Sequence, residues 1–211
     1  MIAVVALHDD TVAARASALP APLDAEEERA QERTWVARAL EGDARAFRCI
    51  VDRHHRGMFR LALRMLGDRA EAEDVVQEAF ARAYKRLEHF DDGYRLSTWL
   101  YRIALNICRD HLKSPRRNER PRGLSAVPGA EDVDDALRAD QRLDRARMAQ
   151  RLRESLDELS ASYREAIVLK DLEELSYQEM KEITGAPVTA LKIRVVRARA
   201  KLRAILEREL S

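Results

Sequence analysis

Apolar residues recur every three or four positions from Thr34 to about Leu112, and again from about Arg145 to the last residues. That spacing lays one apolar stripe along a helix, and no stretch alternates long enough to support a sheet. The pattern breaks at Gly42-Asp43, Gly67-Asp68 and Asp91-Asp92-Gly93 in the first stretch. In the second it breaks at Leu159-Ser160, Leu175-Ser176 and Gly185-Ala186-Pro187. Start signals agree with these breaks. Thr34 is placed to cap a helix beginning at Trp35, and Asp68 with Glu71, like Ser176 with Glu179, reads as a capping box. Ser97-Thr98 can cap a further helix from Trp99 to about Lys113. Residues 1–33 lack periodicity and contain Pro20-Ala-Pro22, so they read as a mobile acidic arm. The expected fold is all-α, with two small helical domains, 34–118 and 146–211, joined by a flexible acidic linker over 119–145. The second domain contains a helix-turn-helix, and no internal repeat is visible.

Composition narrows the class. Seven Gly and six Pro in 211 residues, with 46% hydrophobic residues, suit helices and real cores, and exclude wholesale disorder, a sandwich or a barrel. Two cysteines build neither a disulfide framework nor a thiolate zinc site, and point to a reducing compartment. No apolar run approaches the roughly 18 residues of a membrane span, and the opening Met1–Leu7 lacks the basic flank of a signal peptide. A cytoplasmic protein with no membrane contact of its own is expected. His54, His55, His89, Cys108 and His111 offer no ligand pair at zinc spacing, so neither a metal, a cofactor nor a catalytic residue is expected.

The near balance of 38 bases against 37 acids hides strong segregation. Acids crowd residues 1–32 and 131–135, whereas residues 113–122 hold five bases against one acid and residues 192–203 hold six bases and no acid. Two basic blocks separated by acids fit two nucleic-acid contacts with a spacer that avoids the polyanion; one block alone reads as an ordinary solvated helix face.

Three constellations stand out. In the helix around Asp74–Leu87, Val76, Phe80, Ala83 and Leu87 share one face, while Asp74, Glu78, Ala81 and Lys85 share the other with Gln77 at its edge. The helix dipole alone accounts for acids at that end, so this pattern by itself requires no partner. Downstream, five of the eleven aromatics fall within residues 84–101. Behind them Arg102, Asn106, Arg109 and Lys113 form a stripe headed by Trp99. Guanidinium groups track phosphate and ring faces accept an unstacked base, which suits a single strand; equally, Trp99 and Tyr101 can close a small core. The third runs from Ser176 to Arg199. A short helix, a turn at Gly185 and a helix primed by Pro187 form helix-turn-helix grammar. Val188, Leu191 and Val195 face inward there. Thr189, Ala190, Ile193, Arg194 and Arg197 face outward with Lys192 at the margin, a surface suited to the major groove, although a plain helical hairpin has the same grammar.

Together these residues resemble the extracytoplasmic-function (group IV) sigma factors of bacterial RNA polymerase. Three stretches carry the resemblance: Ala70–Phe80, Ser97–Asn106, and Leu175–Glu179 continued through Arg199. It implies that Asp74, Gln77 and Glu78 dock on the clamp helices of the largest polymerase subunit, with a further contact to the flap of the second subunit. It implies that Phe90 through Ser97, including Tyr94, capture a flipped base of the minus-ten element. Trp99, Arg102 and Asn106 lie beside that loop, and Arg109 and Lys113 complete the stripe. Thr189, Ala190, Lys192, Ile193, Arg194 and Arg197 would meet the minus-thirty-five element. A partner anti-sigma factor and a place at the bacterial nucleoid are implied as well. The chain departs from the family where Gly-Thr-Val-Lys-Ser-Arg is usual and Thr189-Ala-Leu-Lys-Ile-Arg194 stands here. Ala190 donates no side-chain hydrogen bond, and Ile193 presents an apolar group suited to a thymine methyl. The rival reading is a free-standing helix-turn-helix regulator with a helical sensor or dimerisation domain.

Overall fold

A computed structural model describes residues 25–114 and 139–209 of the chain. Every regular element among them is helical. The N-terminal half comprises α1 (Ala25–Leu40), α2 (Ala44–Leu66), α3 (Arg69–Lys85) and α4 (Leu96–Lys113), with a short 3₁₀ turn at Leu87–His89. The C-terminal half comprises α5 (Ala139–Asp157), α6 (Ala161–Ile167), a π turn at Val168–Leu172, α7 (Tyr177–Thr184) and α8 (Val188–Glu209).

Local chemistry sets most boundaries. Asp43 caps α2 by accepting from the N–H groups of Arg45 and Ala46 at 2.9 and 3.3 Å, and Arg38 holds its carboxylate from α1 at 2.6 Å. Gly67 closes α2 in the left-handed region at φ 74°, its N–H reaching the Leu63 carbonyl at 2.8 Å. Asp68 then caps α3 through the Glu71 N–H at 2.9 Å.

Three boundaries differ from those the sequence predicts. First, α1 begins at Ala25, nine residues before Thr34, with Glu26, Glu27 and Glu28 in its first turn where the dipole favours acids. Thr34 lies inside this helix, its hydroxyl donating back to the Ala30 carbonyl at 3.0 Å. Of the expected arm, residues 25–33 are therefore helical, and residues 1–24 lie outside the described residues. Second, α4 starts at Leu96 from Arg95, without a side-chain cap; Ser97 and Thr98 sit in its first turn, and Thr98 is buried. Third, α5 reaches back to Ala139, which leaves only residues 119–138 of the expected linker beyond the described residues.

In the N-terminal half, α1, α3 and α4 pack around α2. Ile50, Met58, Leu61, Met65, Val75, Leu100 and Ile107 are fully enclosed there, while Ile167, Leu169, Met180, Leu191 and Val195 form the C-terminal core. The halves then dock, α7 against α4, and α6 with its π turn against α2. Nothing in the periodicity announces this docking.

Charge marks the docking face. Arg164, almost buried, donates to the Leu156 carbonyl at 2.9 Å and the Met65 carbonyl at 2.7 Å, and pairs with Asp157 at 2.9 Å. Leu156 and Met65 each lie in the last turn of a helix, beyond the regular i to i−4 bonds, so one guanidinium serves the C-terminal ends of both α5 and α2, sharing the Leu156 carbonyl with the Leu159 N–H at 3.1 Å. Glu173 follows the π turn with its side chain only 3% exposed. It accepts from Arg64 at 2.6 Å, Arg60 at 3.2 Å and the Tyr101 hydroxyl at 3.3 Å, all from the N-terminal half. Gly57 makes room for that hydroxyl, since a Cβ there would stand 2.8 Å from it. Burial, followed by the Glu173 charge, pushes the Tyr101 phenol up to about 12.

Candidate nucleic-acid interface

The exposed face of α3 is held by what lies beneath it. Val75, Val76, Ala79, Phe80 and Ala83 are buried, which turns Asp74, Gln77, Glu78, Ala81 and Lys85 to solvent. Glu78 pairs with Arg82 one turn on at 2.5 Å. An exposed i,i+4 pair of this kind contributes only about 0.3–0.5 kcal/mol, so it leaves Glu78 available to a competing cation.

The loop between the 3₁₀ turn and α4 is shaped by Asp91, whose carboxylate accepts from the Gly93 N–H at 2.9 Å while its carbonyl accepts from Tyr94. Tyr94 is left 48% exposed. Phe90 tilts onto Trp99 with ring centroids 5.4 Å apart, both half-buried, and Ser97 is half-buried nearby. Along α4, Leu100, Ala104, Ile107 and Cys108 face the core, while Arg102, Asn106 and Lys113 are exposed as a stripe.

Arg109 departs from that stripe. Its guanidinium makes a two-point contact with Glu165 of α6, both distances 2.8 Å, and also reaches the Asn106 side chain at 3.0 Å. Those hydrogen bonds to Glu165 hold Arg109 charged, above its ordinary range.

In the C-terminal half, Ser176 and Glu179 close a full capping box at the start of α7. Burial opposes the Glu179 charge, but its hydrogen bonds from Ser176 outweigh that and hold the carboxyl below its ordinary range. Gly185, left-handed at φ 74°, ends α7 and turns the chain into Pro187 and α8. Leu191, Val195, Ala198 and Ile205 anchor α8, and Thr189, Ala190, Lys192, Ile193 and Arg197 stand exposed. Arg194 is half-buried, its Nη1 3.8 Å from Glu165. Thus Glu165 brings together a member of the α4 stripe and a member of the α8 set.

Three side chains on this surface escape sequence reasoning. Arg29 and Arg33 of α1 line a small hollow with Phe90, Tyr94 and Arg95. The run Glu26-Glu27-Glu28 is the signal that could have found them, because three acids in succession mark a helix start that carries both arginines with it. Val196, 64% exposed, extends the apolar strip of Ile193 along α8.

The Sigma-70 region 2 family model matches residues 50–118, and the Sigma-70, region 4 family model matches residues 149–202. The ECF RNA polymerase sigma factor SigW of Bacillus subtilis is 36% identical over 176 residues, spanning 80% of this chain and 92% of SigW. The chain belongs to the extracytoplasmic-function sigma factors of the sigma-70 family. This sigma factor is also 33% identical to the RNA polymerase sigma-H factor of Pseudomonas aeruginosa over 178 residues, covering 80% of this chain and 90% of that one. Among solved structures, CnrH in complex with the cytosolic domain of CnrY has a TM-score of 0.61 at 31% identity, over 84% of this sigma factor and 97% of CnrH. RpoE of Bartonella quintana, solved with the anti-sigma factor NepR, shares the fold at a TM-score of 0.61 and 24% identity, covering 76% and 96% of the two chains. As a family member, this protein is a transcription initiation factor that directs RNA polymerase to promoters. Membership overturns the rival of a free-standing regulator. No helix among the described residues is long and apolar enough to cross a membrane.

Proposed function

We propose that the two halves divide the work of promoter recognition, residues 34–118 engaging core polymerase and the minus-ten element and residues 146–211 the minus-thirty-five element. The exposed Asp74, Gln77 and Glu78 receive the clamp helices of the largest polymerase subunit, and the C-terminal half contacts the flap of the second. The loop from Phe90 through Tyr94 to Ser97 takes an unstacked base beside Trp99, and Arg102, Asn106, Arg109 and Lys113 follow the displaced strand. Thr189, Ala190, Lys192, Ile193, Arg194 and Arg197 lie along the major groove, where Ile193 favours a thymine methyl. The cost of opening the duplex is met by binding to the displaced strand and by polymerase, so the protein needs no catalytic residue, metal or cofactor and works at the nucleoid in the cytoplasm. An anti-sigma partner belongs to the same reading, in keeping with the protein-bound state in which CnrH was solved.

The single observation that carries this assignment is the α4 stripe. Arg102, Asn106 and Lys113 are exposed in a row on a helix whose other side is core, next to the Phe90–Trp99 pair. Arg102→Ala with Asn106→Ala is expected to leave closed-complex formation near normal and to reduce permanganate reactivity of thymines in the start-site-proximal element. Normal strand separation by the double variant refutes the assignment.

A further inference from the structure

We propose that Arg29 and Arg33 of α1 form a phosphate clamp that takes the displaced strand beside the base-capturing loop, so that the strand path continues from α4 onto the first helix. This rests on the reading of the Phe90–Ser97 loop given above, and adds two residues which that reading does not contain.

The two arginines lie four residues apart on α1, about 6 Å along the helix axis. Neither makes a hydrogen bond or ion pair with any described residue. Elsewhere in the same half arginines find carboxylates, as Arg38 does at Asp43, Arg64 at Glu173 and Arg82 at Glu78. The bare pair is nonetheless firmly placed. Glu28 of α1 pairs with Arg53 of α2, the Glu32 carboxylate lies 2.9 Å from His54 Nε2, and Val36 and Ala39 are buried between the helices.

Three guanidiniums converge on the hollow beside the loop. Arg29 and Arg33 share it with Arg95, and Phe90, Tyr94 and Leu96 complete its wall. Two acids also border it, but Glu32 already faces His54 and Asp92 is exposed. Arg95 has Glu179 no nearer than 3.9 Å. Like charges gathered in one place repel, and forked donors without a protein acceptor match the oxygens of a phosphate. Position then selects the phosphate. Leu96 is the first residue of α4, so the hollow stands at the head of the stripe, beyond Trp99. A base held against Phe90 and Tyr94 brings its own phosphate within reach of the two long side chains. Arginines one turn apart suit two consecutive phosphates, a contact that positions the strand without reading its sequence.

The test uses the full chain assembled with core polymerase, on a promoter at which the wild type gives a run-off transcript, with the minus-ten element supplied unpaired. Arg29→Gln with Arg33→Gln removes both charges. Arg33→Gln alone alters only an exposed side chain, which keeps the outcome independent of folding. Each lost phosphate contact should flatten the dependence of log affinity on log salt by about 0.7. Between about 50 and 200 mM salt the wild type should therefore lose about sevenfold more affinity than the double variant, and about 2.6-fold more than the single one. An uncharged methylphosphonate is then placed at each position of the unpaired strand in turn. It should weaken wild-type binding at one or two consecutive phosphates beside the captured base, and leave the double variant unaffected at those positions. Unchanged affinity and salt slope in both variants overturn the clamp. A loss that is the same whichever phosphate is neutralised assigns the arginines to an acidic protein surface and overturns it too. Arg102→Ala with Asn106→Ala on the same probe separates the two readings. If that variant weakens binding where the Arg29 and Arg33 variants do not, the clamp alone fails; if none of them weakens binding, the reading of the loop and stripe falls with it.

Discussion

Replacing Arg164 by Ala should be among the most destabilising single changes in the protein. Its guanidinium is buried and donates to two carbonyls, those of Leu156 at 2.9 Å and Met65 at 2.7 Å, besides pairing with Asp157 at 2.9 Å. The Met65 carbonyl loses its donor in the variant, whereas the Leu156 carbonyl keeps the Leu159 N–H at 3.1 Å. A hydrogen bond from a charged group contributes about 1.5–3 kcal/mol when its partner is left unsatisfied, and one whose acceptor keeps another donor about 0.5–1.5 kcal/mol, so the two amount to roughly 2–4.5 kcal/mol. Water entering the vacated space recovers part of this, and Asp157 is exposed enough to be solvated, which leaves an expected loss of about 2–4 kcal/mol. Against a total stability of about 5–15 kcal/mol for a domain of this size, the change should lower the urea midpoint sharply. Arg164→Lys restores the charge but not the fork of donors, and should recover only part of the loss. The assay is equilibrium urea denaturation of the full chain followed by circular dichroism. A loss below about 1 kcal/mol in Arg164→Ala would refute the argument that one guanidinium serves two helix ends.

Three further outcomes follow from other sites. Tyr101 ionises at about 12 in the folded chain against 10.0 for a free phenol, so its contribution to stability is complete below pH 10 and is lost as pH rises toward 12. A spectrophotometric titration should show a late tyrosinate step that Tyr101→Phe deletes; an identical curve in the variant contradicts the placement against Glu173. Ser176→Ala removes the hydroxyl half of the α7 capping box and should cost about 1 kcal/mol by thermal denaturation, with no detectable cost arguing that the box is ornamental. Asp74→Ala with Glu78→Ala should weaken binding to core polymerase in a titration while leaving the thermal midpoint within a few degrees, because neither side chain supports the fold beyond the exposed Arg82 pair. A large drop in midpoint would assign these acids to stability instead.

How much of this the sequence discloses depends on the range of the interaction. The inward faces of α3, α4 and α8 are legible because each is a local periodicity: Val76, Phe80 and Ala83, or Leu191 and Val195, are buried as their spacing requires. The caps at Asp68 and Ser176 are read from three or four residues, and the structure forms the full box at Ser176 and the Asp68 half of the other, while Asp43, which caps α2, reads in the sequence only as a break. Thr34 and Ser97-Thr98 mislead for the same reason. Their side chains fit a cap, but the acid run beginning at Glu26 and the burial of Leu96 and Thr98 extend both helices past them. The α4 stripe is visible in the spacing, yet the loss of Arg109 from it is not, because Glu165 lies 56 residues away in sequence. Docking of the halves is invisible on the same grounds, since Arg164, Glu165 and Glu173 read as an ordinary solvated charge pattern until α2 and α4 are placed opposite them.

The π turn at Val168–Leu172 winds the backbone more loosely than its neighbours, the Glu173 N–H reaching back five residues to Val168 and the Leu175 N–H reaching Leu169. Deleting one amino acid inside this segment would turn the bond between the Glu173 N–H and the Val168 carbonyl into an ordinary helical one and nearly keep the bearing of Glu173. Each residue of regular helix advances the bearing of the next by about 100°, so deleting one from α6 would swing that acid well away from α2. The grip between the halves is therefore encoded in chain length as well as in side-chain identity. A relative one residue shorter in α6 can keep all the same charged groups and still be unable to close.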